Sequence, residues 1–219
     1  MNRREAIHLF GAAALGSAVT GTAHADHEKA ATSSANPMSN FHAYLCAYHI
    51  AKKDPSFVVE AHHYCCAVDG DVHQCVIFDK NGNNARILGV EYIITDAIYQ
   101  KLPDDEKKYY HPHRYEVIGG LLIAPGMPAG SEKAFMQKLV TTWGKTWHTW
   151  PDPKTALPMG EPTLMWAATR DGQIDTATMS KRDKDFSVDT AEIRKRRSYL
   201  GAVPDVAPPK SIDEIGRQQ

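Results

Sequence analysis

The feature that most constrains this chain is a turn. Asp69-Gly70-Asp71 separates two β-rich runs, residues 58–67 and 72–79, and a short acidic turn around a glycine between such runs is a hairpin signal. If the hairpin turns symmetrically about Gly70, Cys65 lies opposite Cys75, and both share a face with His63 and His73. The other face carries His62, Tyr64, Cys66, Val76 and Phe78. Two chemistries fit the first face. One is a zinc-type set of two thiols and two imidazoles; the other is a Cys65–Cys75 cross-strand disulfide.

The remaining elements follow from local signals. Ser39 or Asn40 can cap a helix over 41–53, which Asp54-Pro55 would end. A turn at 81–84 leads into a strand over 85–94, and Thr95-Asp96 caps a short helix beyond it. Residues 115–124 read as a strand, 131–143 as a helix stopped by Gly144, 146–150 and 164–169 as strands, and 187–200 as a charged helix. Hairpins followed by scattered helices, without βαβ alternation, predict an α+β domain. Its sheet is expected to be mainly antiparallel and flanked by several helices. The domain spans residues 40–200, with an irregular, Pro-rich tail over 201–219.

Upstream, Arg3-Arg4 precede a short apolar stretch over 7–19, and Ala23-His24-Ala25 offers small residues for cleavage. Residues 1–25 therefore read as a signal peptide of the twin-arginine (Tat) type, with an ordinary secretory signal as the alternative. The stretch is shorter than the roughly 20 residues a membrane span needs, and no later run could cross a bilayer. Residues 26–39 form a polar linker. The Tat machinery is the expected export partner, and the periplasm or exterior the expected location.

Charge is balanced, at 25 Lys+Arg against 26 Asp+Glu, which leaves no electrostatic footprint for nucleic acid. The basic run Arg194-Lys195-Arg196-Arg197 reads as a solvated helix face. There is no G-x-S-x-G elbow, no Walker loop and no G-x-G-x-x-G after a strand.

The eleven histidines carry the chemical signal. On the expected first helix, His42, Cys46 and His49 fall at i, i+4 and i+7, within about 60° of one another. They form either a ligand stripe or part of a core face. Glu91 shares a strand face with Ile87, Gly89 and Ile93; a carboxylate on an apolar face must be paired, ligate a metal or stay protonated. Arg86 and Arg114 are its candidate salt-bridge partners. His111-Pro112-His113 would point both rings one way if extended. His148 stands among Trp143, Trp147 and Trp150, which suits an aromatic-lined pocket or core packing.

Several of these segments together resemble the oil-body-associated protein family, a domain of unknown function. They are Phe41-His42-Ala43-Tyr44-Leu45-Cys46, Glu60-Ala61-His62-His63-Tyr64-Cys65, Gln74-Cys75 and Gly89-Val90-Glu91-Tyr92. His111-Pro112-His113 with Tyr115-Glu116-Val117, and Gly144-Lys145-Thr146-Trp147-His148-Thr149-Trp150 followed by Leu157-Pro158, continue the series in the same order. The resemblance covers residues 40–200 and identifies an exported, bacterial member. It implies no established activity, and it implies a lipid surface only by the family's name. The chain departs from the plant pattern in its export signal, in His73 and in Cys66.

The expectation is a domain that binds zinc or iron, as mixed imidazole and carboxylate ligands suit those ions. The candidate ligands are His49, His62, His63, Glu91, His111 and His113, with His42, Cys46 and His148 in reserve. The alternatives are a non-enzymatic protein of lipid surfaces and a disulfide-stabilised structural domain.

Overall fold

The structure, a computed structural model, describes residues 36–201. The expected signal peptide, the linker as far as residue 35 and the tail beyond Gly201 lie outside the described residues.

The hairpin about Gly70 organises the sheet. Strand β2 (Asp54–Ala67) turns into β3 (Val72–Phe78) with Cys65 directly across from Cys75. The Asp69 carboxylate fixes the turn by accepting the backbone N–H groups of Asp71 and Val72, both at 2.8 Å. Strand β4 (Ile87–Thr95) pairs antiparallel with β3, and β1 (Ala43–Ala51) with β2.

The expected helix-flanked antiparallel sheet is instead closed into a barrel. β4 pairs along its length with β6 (Thr142–His148), from Gly89 opposite His148 to Thr95 opposite Thr142. β6 pairs with β7 (Thr163–Trp166), whose end meets the end of β1 at Ile50 and Ala51. The order β1-β2-β3-β4-β6-β7 therefore returns to β1 as a six-stranded antiparallel barrel. A two-residue strand, β5 (His111–Pro112), lies beside the first half of β6. Closure removes sheet edges and gives each strand an inside and an outside. The contacts that close the ring join segments distant in sequence, which local turn signals do not reveal.

Two elements change type. The expected helix over 41–53 is strand β1, because every residue from Leu45 to Ala51 is buried. Both faces of that strand are covered, so its sequence lacks the polar alternation of a half-exposed strand and reads equally as a buried helix. The expected strand over 115–124 begins instead as helix α3 (Arg114–Ile118). It leaves that helix at Gly119 and Gly120, where Gly120 has φ +77°, a left-handed turn that glycine accommodates. The chain then runs back against β1, with Ile123 bridging Cys46.

The other helices are α1 (Asp96–Tyr99), α2 (Asp104–Lys107), α4 (Ala129–Leu139), α5 (Thr176–Phe186) and α6 (Thr190–Arg196). Segment 119–124 lacks regular strand pairing, and two buried arginines serve its carbonyl groups. Arg182 donates to the carbonyls of Gly120 and Leu121, and Arg197 to that of Leu122 and to that of Val117 in α3. Arg197, expected on a solvated face, is thus an interior anchor. Among the described residues no helix is long and apolar enough to cross a membrane.

Candidate functional site

Strand alternation sends one set of residues into the barrel. Leu45, Ala47, Ala61, Cys65, Cys75, Ile77, Ile93 and Met165 make its apolar filling. The same register points His49, His63, Glu91 and His148 inward, since directly opposed residues share a face. His111, opposite Gly144, joins them from β5, and His113 follows two residues later. All six of these polar groups are nearly inaccessible, none above 3 % exposed.

They converge on Glu91. Its Oε1 lies 3.3 Å from His111 Nε2 and 3.2 Å from His113 Nε2, and its Oε2 lies 3.1 Å from His63 Nε2. His63 Nε2 is 3.0 Å from His49 Nε2, and His49 Nδ1 is 2.9 Å from His148 Nε2. Two triads can each hold an ion: His49, His63 and Glu91, and Glu91, His111 and His113. The room comes from Gly144. A Cβ there would run into the Glu91 carboxylate and come within 2.7 Å of the Nε2 atoms of both His111 and His113.

Electrostatics separate these groups. Burial alone would raise the Glu91 carboxyl, but the imidazoles of His111, His113 and His63 against it hold it well below its usual range. Burial, then His63 and His148, lower His49 well below an ordinary imidazole. Burial lowers His111 against the pull of Glu91, and burial with His63 brings His148 down to about 3. Glu116 lies 4.0 Å from His113 Nε2. Burial and the Glu91 charge push its carboxyl well above the usual range, against the pull of Arg197.

One hydrogen bond fixes a tautomer. The Thr142 hydroxyl donates to the Leu139 carbonyl at 2.7 Å, so it must accept from His113 Nδ1–H, 2.8 Å away. A neutral His113 then turns a lone pair, not a hydrogen, toward Glu91 Oε1. A lone pair facing a carboxylate oxygen at 3.2 Å in a buried site is repulsive, and a second proton on the imidazole or a metal ion between the two atoms relieves it. Four of the ligand-atom contacts, at 3.0–3.3 Å, lie near the edge of about 3.3 Å that metal–nitrogen bonds of about 2.0–2.1 Å make in a tetrahedron, and the atoms of each triad all lie within 4.8 Å of one another. The residues present fit a metal ion.

Not every candidate lies here. His62 is on the outer face of β2, bonded at Nδ1 to the Tyr44 hydroxyl (2.8 Å) and at Nε2 to Glu60 (3.3 Å). Cys46 is also outside, 3.8 Å from Glu60, so it cannot share a face with His49. His42 is exposed beside the Asn40 carbonyl. Cys65 and Cys75 are joined by a disulfide, which removes both thiols from any ligand set, and His73 stays half-buried near the barrel mouth. Arg86 pairs with Asp79 rather than Glu91. Sequence reasoning missed Glu116 and Thr142. The signal for Glu116 was its place three residues after the His-x-His unit; Thr142 carried none.

The fold and its interior define a small closed β-barrel with a buried histidine–carboxylate centre. The chain belongs to the family described as protein of unknown function (DUF1264), whose profile matches residues 35–201. It is 40 % identical over 182 residues to oil body-associated protein 1A of Zea mays, covering 83 % of this chain and 76 % of that protein. Oil body-associated protein 1B of Arabidopsis thaliana is 39 % identical with the same coverage. Oil body-associated protein 2A of Zea mays is 32 % identical over 186 residues, 84 % of this chain and 74 % of that protein. No solved structure matches the chain.

Proposed function

We propose that this barrel is a transition-metal-binding protein, holding zinc or iron through Glu91 and the imidazoles of His49, His63, His111 and His113, with His148 behind His49. One observation carries the reading: the Thr142 bridge commits the Nδ1 hydrogen of His113 outward and leaves Nε2 facing Glu91 beside His111. No catalytic step is assigned. Elemental analysis of the protein purified without added metal tests the reading, with one or two equivalents of zinc or iron expected. A folded, metal-free sample that takes up neither ion on addition would overturn it.

We further propose that the chain is exported, as the Arg3-Arg4 signal implies. An oxidising compartment also suits the Cys65–Cys75 bond. Replacing both arginines by lysine should leave the protein in the cytoplasmic fraction if the Tat route is used. A second reading, attachment to a lipid surface, draws on the names of the relatives. It also draws on the exposed Val90 and Tyr92 of β4 and the exposed Leu157 and Met159. Liposome flotation tests it, and protein that stays at the bottom of the gradient would refute it.

A further inference from the structure

A cavity of about 600 Å³ opens at the end of the barrel where β1 and β3 begin. Its volume lies within the roughly 300–1,000 Å³ of small-molecule sites. The deep wall is apolar: Leu45, Ile93 and Leu139 are buried, and Met127 and Phe135 pack beside them. Among the described residues, Lys138 is the one formally charged side chain in its lining. Lys138 and His73 line it together with His42, and among the described residues no carboxylate lines it and none pairs with Lys138. An apolar floor with a lysine at its rim and no counter-charge is complementary to a molecule with a hydrocarbon body and an anionic head.

From this we propose that the barrel mouth binds a single-chain amphiphile with a carboxylate head, its chain directed inward against Leu45 and Ile93 and its head at Lys138. The site is distinct from the metal centre, which lies further down the same interior. Ile93 is the next inward residue after Glu91 on β4, and Thr142 belongs to both, as cavity wall and as the hydrogen-bond partner of His113. The metal reading can fail without removing the cavity.

The test is calorimetric titration of the full chain with dodecanoate, kept below its micellar concentration, against dodecylammonium and dodecanol. Saturable one-to-one binding of dodecanoate is expected, about tenfold tighter than dodecylammonium. Lys138→Glu changes an exposed residue, so the fold should survive; it should weaken dodecanoate about tenfold and leave dodecanol little changed. Ala43→Trp should fill the mouth and weaken all three. Glu91→Gln should bind dodecanoate as the parent does, whatever it does to metal content. Absence of saturable binding, equal affinity for the cationic probe, or indifference to Lys138→Glu would overturn the proposal. Loss of dodecanoate binding in Glu91→Gln would put the head group on the buried centre and overturn the rim assignment.

Discussion

Two clusters of similar residues lie on opposite sides of the β1–β2 pair, and they resolve their charge differently. Outside, Glu60 meets His62 and Cys46; inside, Glu91 meets His63, His111 and His113. Either set has the spacing of a metal site. The outer carboxylate has its own cation in Lys181, 3.6 Å away. Burial with the neighbouring Glu60 pushes the Cys46 thiol up, so the sulfur keeps its proton and is a poor ligand. The inner carboxylate has no lysine or arginine partner among the described residues, and its positive charge must come from a proton or an ion. Ligand spacing alone therefore does not separate the two clusters; the charge balance around each carboxylate does.

The comparison can be broken most directly at its centre. Glu91→Gln keeps the shape of the side chain and removes the charge. Metal affinity, read by competition with a chelator, should fall by more than about 100-fold, beyond the roughly 10–100-fold typical of outer-shell changes. Thr142→Val removes the group that orients His113 and should fall within that range of about 10–100-fold, with the circular-dichroism spectrum unchanged.

Acid should act on the metal-free inner cluster next. His49, His111 and His148 are held below the ordinary value of 6.5, so below that pH the unfolded chain binds more protons than the folded one. Glu91, depressed below 4.5, adds a loss in the same direction as pH falls further. Glu116, raised above 4.5, works the other way, because the folded chain keeps its proton where the unfolded chain has lost it. With three imidazoles against one carboxyl, chemical-denaturation midpoints should still fall as pH drops below 6.5, and a flat or rising profile from pH 7 to 4 would contradict the neutral, buried imidazoles. The smallest effects should come from outside. His62→Ala should leave metal content unchanged, within about twofold, while costing about 1–3 kcal/mol through the polar partners it strands. Lys181→Ala should cost no more than about 1 kcal/mol, because the lysine is largely exposed.

Much of the hairpin was legible, because Asp69-Gly70-Asp71 and the alternation around it are local facts. Glu91 stood out for a similar reason, as a charged residue at an inward position of an apolar strand. The barrel was not legible. Its closure depends on β4 meeting β6 and β1 meeting β7, pairings between segments far apart in the chain. Strand β1 was misread because burial on both faces erased the period that distinguishes strand from helix. That error also misplaced Cys46, which a helix would set beside His49 and a strand sets on the opposite face. Thr142 and Gly144 act through what they accept or leave empty, and neither property shows in a residue's name.

Barrel closure also sets an order of events in folding. The ligands around Glu91 come from β1, β2, β4, β5 and β6, and the His49–His148 contact alone spans 99 residues. Contacts so distant form slowly, since the loop entropy must be met before they stabilise anything. The β1–β2–β3 meander can assemble early from local turns, but the centre does not exist until β6 has docked against β4. An ion arriving before that step would find only scattered imidazoles, whereas one arriving after it would tie β1 and β2 to β4 across the closed barrel.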